Sequence, residues 1–354
     1  LFALALPALL ALALTSTFYG AALARPLATD VAGAISVPTT WTLAGSPYIL
    51  TSDVVVNAGV TLTVEPGVVV MGRSDMELQV KGHLEAVGTA SQPITFTSAT
   101  DTGPSQWSGL VFDGGTGELV HATVRYGGGH YNSVLSNSYS GSNIAVRNVL
   151  TGEVWIESSQ VISENAPAYC PYYCTYYSDY GLYIDNSRVV VSSTLFSDNG
   201  NNADDFALFA TGASTAVTLT GNGWSNNPGR VLQIEAAQLD AIQLDNNQLQ
   251  NNGDHRILVI GNGISTPVNL STAGGFRGWE LPDDFVIPAG VTLTVPPGAT
   301  IMGRSGVELQ VQGHLHAVGT ASQPITFTSA TDTGPGQWSG LVFDGGTGEL
   351  VHAT

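Results

Sequence analysis

The sequence predicts an all-β solenoid, and three observations predict it. Apolar residues alternate with polar ones at period two, a long segment returns almost unchanged further along the chain, and Asn-rich turns recur between short apolar runs. Alternation at period two is the signature of strands with one buried face. A repeated unit that cannot bury its own apolar face must stack on its neighbours.

Composition bounds the function first. The 354 residues carry 10 Lys and Arg against 28 Asp and Glu, a net charge of −18. Nucleic-acid affinity depends on clustered basic residues that neutralise phosphates, so a nucleic-acid partner is excluded, and an anionic membrane surface with it. Charged residues make up only 11% of the chain and hydrophobic ones 43%, which is too apolar for a disordered polyelectrolyte.

The first segment, residues 1–24, has no charge and runs LFALALPALLALAL into TSTFYGAALA. This matches the apolar core and cleavage zone of a secretory signal peptide, with Ala22-Leu23-Ala24 as the cleavage site and Arg25 as the mature N-terminus. The unbroken apolar run is 14 residues and contains Pro7, short of the roughly 20 that span a bilayer. The reading is therefore a secreted or cell-surface protein whose mature chain does not insert into a membrane. Residues 25–57 are expected to cap the open end of the solenoid.

Unit one is assigned to residues 58–270. In Val60-Leu62-Val64 and Ile94-Phe96 the apolar side chains alternate with Thr61, Thr63, Thr95 and Thr97. Turn signals such as Glu65-Pro66-Gly67 and Asp113-Gly114-Gly115 separate the runs. Further along, VWIESSQVISEN, LYIDNSRVVVSSTLFSDNGNN, VTLTGNGWSNN and IQLDNNQLQNNG each follow a short strand with an Asn-rich turn. Asn165, Asn199, Asn226 and Asn251 recur at spacings of 34, 27 and 25 residues. Asn tolerates the left-handed backbone, and stacked amides can bond from coil to coil, so one coil per interval is expected.

Unit two begins near residue 271. The string from Ala58 to Thr123 returns from Ala289 to Thr354, offset by 231 residues, with nine substitutions in 66 positions. The first copy continues with VRYGGG after this string, so the natural solenoid is expected to continue beyond Thr354. Coils about 4.8 Å apart, on the order of a dozen of them, give a rod roughly 60 Å long.

LTVEPGVVVMG, LQVKGHLEAVGTASQPITFTS, WSGLVF and LVHATVRYGG resemble the secreted right-handed parallel β-helix proteins of bacterial cell surfaces. The Asn-turn series is similar to the repeat of the pectin-lyase-like superfold. The resemblance covers roughly residues 40–354 and implies a right-handed parallel β-helix. It implies no single activity, because that superfold hosts lyases, hydrolases, adhesins and stalks.

Three places are candidates for chemistry. In SDNGNNADDF, Asp198, Asp204 and Asp205 could form an acid/base pair or, with Asn oxygens, a calcium site. The Asn-Thr-Asp, Gly-His-Gly and Arg-Ile-Lys motifs of polygalacturonases are missing. Asp254-His255-Arg256 offers an Arg that could serve as the base of a lyase, and its default reading is a solvent-facing turn. The third is aromatic: Tyr169, Tyr172, Tyr173, Tyr176 and Tyr177, followed by Tyr180 and Tyr183, crowd one loop, and Trp155 and Trp224 lie nearby. Such rings can stack on sugars. Trp107 and Trp338 hold matched repeat positions and read as packing residues.

Cys170 and Cys174 sit in YCPYYCTYY. In an exported protein a local disulfide ranks above free thiols, and both above a metal site, because two thiolates supply half of what zinc needs. No acid/base cluster repeats on one face, so the leading expectation is a non-enzymatic stalk or adhesin that meets glycans or other surface proteins. The rival is a polysaccharide lyase or glycoside hydrolase, and a carbohydrate-binding module is the third class. No cofactor is expected beyond calcium.

Overall fold

A computed structural model of the chain describes residues 28–128, 141–163, 180–200, 203, 205–272 and 274–354. The signal-peptide segment, Asp204, Cys170, Cys174 and the tyrosines from Tyr169 to Tyr177 lie outside the described residues. Those residues form a right-handed parallel β-helix. Every ladder between named strands is parallel, and the largest sheet joins 19 strands beside an eight-stranded sheet and two smaller ones. The parallel arrangement follows from the coil: each turn around the axis brings the chain back to the same sheet in the same direction.

One coil shows how the sequence builds the rest. Arg188–Ser192, Leu195–Ser197 and Phe206–Thr211 are its three strands, and each stacks in register on the matching strand of the next coil: Ala216–Thr220, Gly223–Ser225 and Arg230–Glu235. Val189, Val191, Phe196, Leu208 and Ala210 point inward and are buried, as the alternation requires. Strands Thr29–Ile35 and Thr39–Trp41, expected to belong to a cap, already pair in parallel with Tyr48–Val56 and Thr61–Val64 like any other rung.

The Asn-rich turns divide their work between two neighbours. Asn226 and Asn251 take left-handed backbone, with φ of 55° at each. The residues after them, Asn227 and Asn252, form the ladder. Asn143 Nδ2 donates to Asn199 Oδ1 at 3.2 Å, Asn199 Nδ2 to Asn227 Oδ1 at 3.1 Å, and Asn227 Nδ2 to Asn252 Oδ1 at 2.7 Å. At the third turn the ladder residue is Asn199 and the left-handed one is Asp198, φ 59°. Asn165 lies outside the described residues.

Trp107 is fully buried and donates from Nε1 to the Arg125 carbonyl at 2.9 Å. A Cβ at Gly72 would lie 2.5 Å from its ring, and one at Gly303 would lie 2.5 Å from the ring of Trp338. Both copies therefore keep a glycine where the tryptophan seats. The units join through one sheet: Ile257 and Leu258 register with Trp279 and Glu280, and Trp279–Leu281 continues onto Thr300–Gly303. The solenoid is continuous across the junction of the two units.

Candidate functional site

On the long sheet, the residues between the inward-facing ones form an outer strip. Val111, Ala145, Tyr183, Phe209, Gln233 and Leu258 are successive register partners from coil to coil. All but Gln233 belong to apolar clusters separate from the main core, which places the strip on the outside of the sheet. Yet Val111, Ala145, Tyr180 and Phe206 are buried, so this strip is sunken rather than open over its whole length.

Rings fill its centre. Phe209 stands 4.7 Å from Tyr180, 5.7 Å from Tyr183 in a near-parallel stack, and 5.5 Å from Phe206 edge-on. Such a cluster is possible here because two consecutive coils each place two aromatic residues at outward positions, and parallel rungs are spaced about as far apart as ring contacts demand.

Two positions further along each strand lies a column of charge. Asp113, Arg147, Asp185 and Thr211 are successive partners, and the Thr211 hydroxyl donates to Glu235 on the next coil. Arg147 is paired with Asp113 at 3.1 Å. Asp185 accepts from Asn186 Nδ2 at 2.8 Å. Burial, and then the negative charge of Glu235, raise the Asp185 carboxyl above its usual range, with Arg147 opposing them. Burial first, and Asp185 second, push the Tyr183 phenol up to about 12, so it stays a proton donor at neutral pH.

Beyond the rings the strip changes character. Glu280, 1% exposed, accepts from Arg304 at 2.6 Å, Arg256 at 3.0 Å and Arg230 at 3.1 Å. Asp254 completes the network, 2.6 Å from Arg256 and 3.3 Å from Arg230. Burial works against charge on Asp254, but hydrogen bonds from Arg256 overcome it and hold the carboxyl below its usual range. The hydrogen bond to Asp254 outweighs burial at Arg256 and raises its guanidinium, so Arg256 remains protonated. That corrects the expectation for Asp254-His255-Arg256: the segment is in strand Asp254–Ile260, partly buried in a five-residue ion network, and not in a solvated turn.

The other sequence candidates separate. Trp224 is 1% exposed and stacks on Phe196 at 4.3 Å, so it is a core residue and not a sugar platform. Its position in Gly223–Ser225 turns it inward where its neighbours in register, Phe196 and Leu249, also point. Trp155 is 45% exposed on the eight-stranded sheet. Asp198 lies in a turn and Asp205 is buried, with the Gly200 backbone so close that a Cβ there would lie 2.4 Å from the Asp205 Cβ. Among the described residues no three His, Cys, Asp or Glu side chains converge as metal ligands. Tyr180 and Tyr183 are the members of the tyrosine series seen in the strip. Asp113, Arg147, Asp185, Glu235, Arg230, Glu280 and Arg304 were not expected there. Only Asp113, Arg147, Asp185 and Glu235 share a local mark, a charged residue at the end of a strand.

Fold and strip together define a parallel β-helix with a polar and aromatic outer strip. Residues 33–147 and 271–349, more than half of the chain, match the model of the pectate-lyase-like β-helix domain. The chain belongs to that family. Both matched segments supply framework, and residues 148–270, which carry Asp185 and Glu235, lie between them. Among solved structures, a double mutant of the periplasmic alginate epimerase AlgG is similar at 12% identity, over 90% of this chain and 78% of that one, with a TM-score of 0.25. No curated protein matches. No helix among the described residues is long and apolar enough to cross a membrane.

Proposed function

We propose that the protein is a carbohydrate-active β-helix that works outside the cytoplasm, binding a polysaccharide along the outer strip and cleaving it by glycoside hydrolysis. The observation that carries this reading is the Asp185 carboxyl, raised by burial and by Glu235, beside a cluster of four rings. Glycoside hydrolysis needs one carboxyl that holds a proton near working pH and one that is ionised. Asp185, whose carboxyl is raised, is assigned the acid, and Glu235, which accepts from the Thr211 hydroxyl, the partner that positions the water. Two rungs separate them, roughly 9.5 Å at the backbone, which leaves room for a water as in inverting hydrolysis. Tyr183, protonated at neutral pH, supplies a hydrogen bond to the sugar. The part-exposed rings of Tyr183 and Phe209 hold the pyranose, with Tyr180 and Phe206 buried beside them.

A lyase reading has less support, because Arg256 is held protonated by Asp254 and is a poor base. Three acidic side chains in one column, in a chain of net charge −18, favour uncharged sugars at the cleavage point over a polyanion. A stalk without activity is the second reading, favoured by the near-identical 66-residue duplication, which lengthens a rod.

The test is reducing-end release from neutral and acidic polysaccharides, with ultraviolet absorbance to detect unsaturated lyase products. Cleavage without unsaturation is expected, falling by about 10²-fold or more in Asp185→Asn and Glu235→Gln. No cleavage of any polymer by the wild type, or cleavage indifferent to both changes, would favour the stalk.

A further inference from the structure

The eight-stranded sheet has its own outward column, and one residue in it is out of character. Glu85, Glu118, Trp155 and Val190 are successive register partners on four adjacent coils. Their inward neighbours Leu119, Val154 and Ile156 are buried, whereas Trp155 is 45% exposed. A large ring on an outer sheet face, uncovered, forgoes most of the burial that would stabilise it. Two residues along the same strand stands Glu157, in register with Val120, so that Glu118 and Glu157 flank the indole from two directions. Both are exposed, and neither is paired with a cation among the described residues. Arg188, on the next strand of this sheet, is bound to Glu153 at 3.2 Å.

An indole face ringed by carboxylates attracts a cation twice over, through the ring quadrupole and through charge. We propose that this face binds an amino-sugar polymer with free amines, its pyranose ring lying on Trp155 and its ammonium groups meeting Glu118 and Glu157. The strand direction decides sugar over peptide. A peptide added to a sheet takes an unpaired edge, and Val154–Glu157 is paired on both sides, to Thr116–Val120 and to Arg188–Ser192. A flat face with one ring suits a flat sugar. The duplication sharpens the point: unit two places His316 where unit one has Glu85, and His316 lies 3.1 Å from Glu349. In unit one Glu85 accepts from the Thr63 hydroxyl at 3.0 Å, and among the described residues no carboxylate of the column that carries the tryptophan is paired with a cation. This site is on a different sheet from the outer strip and does not rest on the cleavage reading.

The experiment is calorimetric titration of the whole protein with oligoglucosamine, its N-acetylated counterpart and oligolysine. Oligoglucosamine should bind, weaken with added salt, and lose affinity about 2- to 30-fold in Trp155→Ala, which removes both the platform for the sugar ring and the ring's attraction for the neighbouring ammonium groups. Glu118→Gln with Glu157→Gln should weaken it as well, with circular dichroism unchanged in all variants. Absence of binding, equal binding of the N-acetylated oligomer, full affinity in Trp155→Ala, or oligolysine binding with the same dependence on Trp155 would each overturn the proposal.

Discussion

Two stretches of the same outer strip handle their carboxylates in opposite ways. On the coils from Ser142 to Thr211, Asp185 sits among rings with Arg147 already committed to Asp113, and its carboxyl is raised by burial and by Glu235. On the coils from Arg230 to Arg304, three guanidiniums surround Asp254 and Glu280, and Asp254 is held low by Arg256. The backbone is the same in both. Each carboxyl has a guanidinium at a neighbouring outward position, and what differs is where that guanidinium bonds: Arg147 is paired with Asp113, whereas Arg256 bonds Asp254 itself. The ion network is accordingly a brace at the junction of the two units, and the proposed acid lies in the aromatic stretch.

The contrast can be broken from the brace side first. Glu280→Gln leaves three guanidiniums around a neutral side chain, and removal of one partner from a buried pair costs about 3–5 kcal/mol. Chemical denaturation should show that loss, and a change near zero would mean that the network contributes nothing at the junction. Next in size is the aromatic stretch. Phe209→Ala removes the ring that touches Tyr180, Tyr183 and Phe206, and a half-buried ring with such partners is worth about 1–3 kcal/mol.

Acid should act on the two stretches with opposite sign. Asp254 has a lowered native carboxyl, so its contribution is present above its ordinary value of about 3.9 and is lost as pH falls through the native value. Asp185 has a raised one, so its contribution is present below the ordinary value and is lost as pH rises through the native value. Thermal melts across acid pH should therefore show Asp254→Asn flattening the acid loss. The smallest expected effect is Asp185→Asn, which should slightly raise stability at neutral pH because burial penalises the charge it removes. A clear destabilisation there would mean that the ionised carboxylate is the favoured form.

Much of this fold was legible in the sequence. Leu62 and Val64 alternate with Thr61 and Thr63, and that rhythm alone places them inside. The Asn spacing located the turns but not the division between the left-handed Asn226 and the ladder-forming Asn227, because both are the same residue side by side. Trp224 was misread because exposure depends on register, and Gly223–Ser225 turns its single middle residue inward. The strip was not legible. Asp113, Arg147, Asp185, Thr211 and Glu235 are 24 to 38 residues apart in sequence, separated by turns of unequal length, so no local motif records that they form one column. Only coil register brings them together.

The most direct test of the account is a carboxyl carbon-13 NMR titration of the wild-type protein with Asp185 and Asp254 assigned. The account predicts that Asp185 titrates above the ordinary aspartate value of about 3.9 and Asp254 below it. Two midpoints in the same place, or Asp185 below Asp254, would contradict the division of the strip into a proton-bearing stretch and a brace.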